Sequence, residues 1–169
     1  MTLAAPDQTA ALALWDQYLH AHPGLALSDE VPVAEHFGDN SALADALLDL
    51  VLSGQKRATA TLALEFRLEG QDLPRIGSHW IACDGAGVPQ VILRTLELRL
   101  GPLDSADPDF AWDEGEDDRS LESWRREHTR YWQRICASRD IEWDEGLEIV
   151  FERFSVVWPP TYTDPAAQG

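Results

Sequence analysis

The sequence predicts an α+β domain in which helices flank a small β-barrel or strongly bent sheet, and three stretches carry that expectation. Ser78 to Cys83 and Val88 to Leu100 are strand-like runs joined by Asp84-Gly85-Ala86-Gly87, a hairpin signal of the Asp-Gly kind. In the second run Leu96, Leu98 and Leu100 alternate with Thr95, Glu97 and Arg99, the period of two that gives a sheet one apolar face. Leu147 to Trp158 is a third, β-branched and aromatic-rich run that Pro159-Pro160 stops. Helical spacing fills much of the chain before and between these runs.

In chain order, residues 1–9 read as a loose leader. A helix follows from about Ala10 to Ala21, with Leu12, Trp15 and Leu19 on one face, and Pro23-Gly24 ends it. Residues 25–40 carry Pro32 and no helical pattern, so they read as a connecting loop laid over the core. Asn40 or Ser41 can cap a second helix whose Leu43, Leu47, Leu50 and Val51 form a buried stripe, with Gly54 at the left-handed position beyond its end. The threonine-rich run after Lys56 suits a strand, whereas Leu62 to Leu68 fits either a strand or a short helix. Beyond the hairpin, a short helix is expected around Asp109 to Glu114. A long one, started by Asp117-Asp118-Arg119-Ser120, runs from Leu121 to about Ala137 with Trp124, His128, Tyr131 and Ile135 on one face.

Composition narrows the function classes. A length of 169 residues suits one domain with a full core, and 44% apolar with 25% charged residues is ordinary for a globular protein. No segment has the run of about 18 apolar residues that a membrane span needs. Residues 1–9 lack an export signal, which points to the cytoplasm. Cys83 and Cys136 stand apart and read as buried free thiols. A net charge of −17 repels long nucleic acid but leaves room for a small nucleoside or short RNA at a local basic patch of Lys56, Arg57, Arg67 and Arg75. The histidines lack ligand spacing and the acidic run Asp113 to Asp118 lacks that of a calcium loop, so neither metal nor cofactor is expected and the run reads as a solvated face. Nothing in the sequence specifies a protein partner.

Lys56 is the single lysine among the 13 lysine and arginine residues. Everywhere else the chain uses a guanidinium, which cannot give up its proton, and here it keeps an amine, whose pKa burial can lower toward neutrality.

Several motifs occur together and in order: Phe37-Gly38-Asp39, Leu52-Ser53-Gly54, Lys56-x-Ala58-Thr59-Ala60-Thr61, Leu73-Pro74-x-x-Gly77, Thr95-x-Glu97 and Glu114-Gly115-Glu116-x-Asp118-Arg119-Ser120-Leu121-Glu122-x-Trp124. Over roughly residues 36 to 158 this set resembles the ASCH domain family. The resemblance implies a PUA-like small β-barrel with flanking helices, whose cleft faces the lysine motif. It divides the chain into a leader and added helix packed on the domain (1–35), the ASCH/PUA-like domain (36–160) and a frayed tail (161–169). It also implies an association with RNA, since relatives include ribonucleases and amidohydrolases of N4-acetylcytidine.

In the amidohydrolase relatives a lysine, a threonine three residues on and a strand glutamate form the catalytic set. The matching positions here are Lys56, Thr59 and Glu97. Such a set suits amide cleavage: the amine takes the proton of the threonine hydroxyl, and the carboxyl holds the amine and protonates the leaving nitrogen. Arg57, Thr61, Arg119, Ser120 and Trp124 are the substrate-binding candidates around it. Arg119 and Ser120 fit either a phosphate or base-edge contact or a helix cap with an ion pair to Glu116 or Asp117. Trp124 fits either a base-stacking platform or the core. The leading expectation is metal-independent hydrolysis of an N4-acylated cytidine-type nucleoside. Its competitors are a metal-independent ribonuclease in the same cleft and a non-catalytic RNA- or nucleotide-binding module.

Overall fold

The protein is described by a computed structural model covering residues 2–28 and 30–167. The described residues form five α-helices: α1 (Gln8–Ala21), α2 (Ser41–Leu52), α3 (Ala63–Leu68), α4 (Pro108–Glu114) and α5 (Leu121–Ser138). The strands are β1 (Ala34–His36), β2 (Ala58–Leu62), β3 (His79–Cys83), β4 (Pro89–Gly101) and β5 (Ile149–Trp158), in the order β1-β3-β4-β5-β2. The sheet is mixed, with β1 parallel to β3 and the pairs β3/β4 and β2/β5 antiparallel. This is the α+β class expected. Among the described residues no helix is long and apolar enough to cross a membrane.

The chain forms two compact units. The first comprises Met1–Gln55, Arg75–Leu96 and Phe154–Gly169. Its helices begin where side chains cap them: Asp7 Oδ1 accepts from Ala10 N and Asn40 Oδ1 from Leu43 N, both at 3.0 Å. Gly54 follows α2 at φ 87°, the left-handed turn anticipated there. Trp15 and Tyr18 of α1 pack on Ile81, Cys83 and Ile92, while Leu48 and Val51 of α2 pack on Ala82, Val91, Leu93 and Phe154. Two expectations fail in this unit. The leader is fastened to the hairpin turn, with Asp7 N donating to Gly87 O at 2.8 Å. Part of the supposed loop is β1, a three-residue strand too short to show a period and made only by pairing with β3.

The second unit comprises Lys56–Pro74 and Glu97–Arg153. Ala58, Leu62, Ile149 and Phe151 on one face of β2 and β5 meet Phe110 and Ala111 of α4 and Trp124, Trp132 and Cys136 of α5. Each large side chain so buried contributes on the order of 1.5–3 kcal/mol of transfer free energy. The buried stripe of α5 runs through Trp124, Trp132 and Cys136, leaving Tyr131 and Ile135 half-buried at its margin. Of the ambiguous run, Leu62 ends β2 and Ala63–Leu68 settle as a helix, with Glu65 turning back to accept from Leu62 N at 3.0 Å. In β4 the expected apolar face is inverted: Thr95 is 1% exposed whereas Leu96 is 53% and Leu100 49% exposed. Both cysteines are free and buried. The end of the expected frayed tail, residues 168 and 169, lies outside the described residues.

Candidate functional site

Lys56 opens the second unit and is 1% exposed, with its amine among carboxylates. Nζ donates to Glu116 Oε1 at 2.6 Å and lies 3.7 Å from Glu114 Oε1. Glu114, the last residue of α4, is itself 1% exposed. Gly115 then takes φ 72°, a left-handed turn that a glycine enters without the Cβ clash, and this reversal returns Glu116 to the amine. The acidic run expected to be a solvated face thus supplies both carboxylates that hold the lysine.

From α5, Trp124 Nε1 donates to Glu114 Oε2, and His128 Nε2 lies 3.0 Å from the same oxygen. His128 Nδ1 lies 3.0 Å from the Trp124 carbonyl oxygen. Both ring nitrogens therefore face acceptors, an arrangement satisfied when both carry protons. The indole of Trp124 stacks on the imidazole, with ring centroids 4.2 Å apart and planes 18° apart.

Burial works against every charge in this cluster, and the neighbours outweigh it. For Lys56, desolvation lowers the pKa, but the charges of Glu116 and then Glu114 raise it further, so the amine is held above the ordinary lysine value. For His128, desolvation likewise lowers it, and Glu114 by charge and hydrogen bond, with Glu116, leaves it raised. For Glu114, desolvation raises it, while His128 and Lys56, with the Trp124 hydrogen bond, leave it lowered. Two cations thus face two carboxylates. The expectation that burial drives the lysine pKa toward neutrality is reversed by two acids that lie about sixty residues on in the sequence, Glu114 and Glu116.

The other candidates lie around this cluster in different ways. Arg57 donates from its backbone to Asp113 O and from Nη1 to Lys56 O, each at 2.7 Å. Glu97 is 56% exposed and pairs with Arg153 Nη1 at 2.7 Å, while Arg153 Nε reaches Asp113 Oδ2 at 2.8 Å. Glu97 is thus linked to the end of α4 through Arg153. Thr59 stands opposite Glu152 and Thr61 opposite Val150 in the β2/β5 register. Their side chains therefore take the sheet face opposite to Ala58 and Leu62, whose face carries α4 and α5.

Arg119 has φ 63°, unusual for a side chain with a Cβ, and Asp117 has φ 49°. Two guanidinium N–H groups of Arg119 donate to Trp112 O at 2.9 and 2.7 Å, and the group lies 3.8 Å over the Trp112 ring. Ser120 is the N-cap of α5, its Oγ accepting from Ser123 N at 3.1 Å. Trp124 is 5% exposed and belongs to the core. The exposed indole near the cluster is Trp112, at 57%. Sequence reasoning missed Glu114, Glu116 and His128 as site residues, although a Trp-x-x-x-His step on one helix face and the Glu-Gly-Glu turn were both visible.

A family model described as the ASCH domain matches residues 33–158. The crystal structure of an ASCH domain from Lactobacillus crispatus JV V101 is 26% identical, covers 94% of this chain and 100% of its own, and has a TM-score of 0.80. That of a protein from Enterococcus faecalis V583 is 28% identical, covers 89% of this chain and 90% of its own, and also scores 0.80. No match was found among curated proteins.

Proposed function

Because the chain belongs to the ASCH domain family, we propose that it acts on RNA or RNA-derived modified nucleosides, by amide hydrolysis of an N4-acylated cytidine-type nucleoside at the Lys56 cluster. The observation that carries this reading is the 2.6 Å pair between a buried Lys56 and Glu116, whose carboxylate is 29% exposed. A carboxylate that meets solvent while an ammonium fixes its position is suited to move a proton.

Glu116 takes a proton from water as the water oxygen bonds to the acyl carbon. The proton then passes to the exocyclic nitrogen as the C–N bond breaks, giving the free cytidine and a carboxylic acid. Lys56, held protonated, orients Glu116 and offsets the negative charge that develops in the tetrahedral intermediate. Trp112 offers a flat surface for the base, with Arg119 against its ring. In this scheme Lys56 is not the base that activates Thr59, in keeping with its raised pKa and with the face that Thr59 takes.

The test is release of cytidine from N4-acetylcytidine, followed by chromatography. Wild type is expected to turn over, and Glu116→Gln to lose about 10²–10⁴-fold, the usual worth of a positioned acid or base. Thr59→Ala is expected to stay near wild type; its inactivation would return the nucleophile to Thr59.

A second reading, recognition of RNA or a nucleotide without turnover, is favoured by the low exposure and charge balance of Lys56, as in a structural ion pair. It predicts salt-sensitive binding of a short oligoribonucleotide with neither cytidine release nor strand cutting, whereas a cut strand would signify the ribonuclease.

A further inference from the structure

The first unit contains a cleft of about 170 Å³ that the Lys56 chemistry does not use. Tyr18 and His22 from the end of α1, Arg94 and Leu96 from β4, and Ser155 and Val157 from β5 line it. Arg94 is the notable member. In a chain with 30 acidic residues against 13 basic ones, a guanidinium readily finds a carboxylate. Among the described residues Arg94 nevertheless has a buried Nε with no hydrogen-bond partner. A buried donor left in that state costs free energy that a ligand can recover.

The surroundings of Arg94 define what would recover it. His79 is its direct cross-strand partner, and His79 Nε2 shares a hydrogen bond with Tyr18 Oη at 3.1 Å. Burial first, and the Arg94 charge second, push the His79 pKa down to about 4, so this ring is neutral at pH 7. Arg94 is then the cleft's one guanidinium, and its described lining residues include no carboxylate. Apart from Ser155, the other walls are rings and aliphatic side chains: Tyr18 and His22 have centroids 5.0 Å apart, and Leu96 is 53% exposed.

We infer that this cleft is a binding site for a small organic monoanion, a carboxylate seated on the Arg94 guanidinium with an apolar or single-ring body against His22, Leu96 and Val157. A carboxylate matches the planar fork of arginine with two parallel hydrogen bonds. A phosphate dianion needs more positive charge than one guanidinium supplies. The volume suits one aromatic ring carrying a carboxylate, and the mostly apolar lining with a few convergent polar groups is the usual make-up of a small-ligand site. This site stands independently of the hydrolase reading, since none of its residues belongs to the Lys56 cluster.

Titrating the full chain with sodium benzoate, benzamide and inorganic phosphate, followed by amide chemical shifts, tests the inference. Benzoate is expected to bind with shifts centred on Tyr18, His22, Leu96 and Ser155. The neutral isostere benzamide is expected to bind at least about tenfold more weakly, because it cannot form the charge-assisted pair. Arg94→Met should weaken benzoate by a similar factor without altering far-UV circular dichroism. If that variant fails to fold, Arg94→Lys, which keeps the charge but loses the fork, should weaken benzoate while retaining the fold. Absence of benzoate binding, equal binding of benzamide, tighter binding of phosphate, or benzoate affinity unchanged by these substitutions would each overturn the assignment.

Discussion

Replacing Lys56 by methionine removes the positive charge between Glu114 and Glu116 while keeping an unbranched side chain of similar length. The consequence differs for the two acids. Glu116 is 29% exposed and recovers hydration, whereas Glu114 is 1% exposed and, among the described residues, keeps His128 and Trp124 as partners of its carboxylate. Removing one partner of a buried ion pair costs about 3–5 kcal/mol, because the other charge stays behind. Since Glu114 retains a second cation and an indole donor, the lower end, about 3 kcal/mol, is expected. For a chain of this size that corresponds to a drop in melting temperature of about 6–12 °C, taking about 2–4 °C per kcal/mol. Urea unfolding at pH 7, followed by tryptophan fluorescence, should show the midpoint moving with an unchanged slope. A loss below about 1 kcal/mol, the range of exposed surface pairs, would refute the reasoning.

The pH dependence has a definite sign. The raised pKa of His128 means that its stabilisation is fully present below the unfolded value of about 6.5 and is lost as pH rises through the folded value. The stability gap between wild type and His128→Gln should therefore shrink on the alkaline side. The lowered pKa of Glu114 gives the opposite limb: its stabilisation is present above the unfolded value of about 4.3 and is lost as pH falls through the folded one, so Glu114→Gln should approach wild type only in acid. Gly87→Ala should destabilise by more than about 1 kcal/mol in thermal unfolding, since φ is +83° and a Cβ would lie 2.3 Å from Ala5 O, where the leader is fastened. Trp112→Ala should leave stability almost unchanged and weaken nucleoside binding by about 1–3 kcal/mol in calorimetry, the worth of one base stacked on an aromatic ring.

Much of the scaffold was legible because its signals are local. Asn40 and Ser120 cap the helices they were expected to cap, Gly54 takes the left-handed turn, and the Asp84-Gly85 turn joins two paired strands. β1 was not legible, because three residues have no period and its parallel partner lies more than forty residues on. The site was half legible. Lys56 stood out by composition, yet its chemistry depends on Glu114 and Glu116, which a tertiary contact across sixty residues brings to it. Read along the chain, burial alone implies a lowered lysine pKa; read in space, two carboxylates reverse the sign. Thr59 shows the same dependence on tertiary pairing, since the register of β2 with β5 sets it on the sheet face opposite to Ala58 and Leu62.

The protonation of Lys56 is the point on which the whole account turns, and because the chain has one lysine it can be observed without assignment. In protein labelled with ¹⁵N-lysine, a single Nζ resonance reports the amine across a pH titration. The account predicts an ammonium signal that does not titrate below the ordinary lysine value of about 10.4 and that loses this protection in Glu116→Gln. A resonance that titrates near neutrality would contradict it, and would restore Lys56 as a general base.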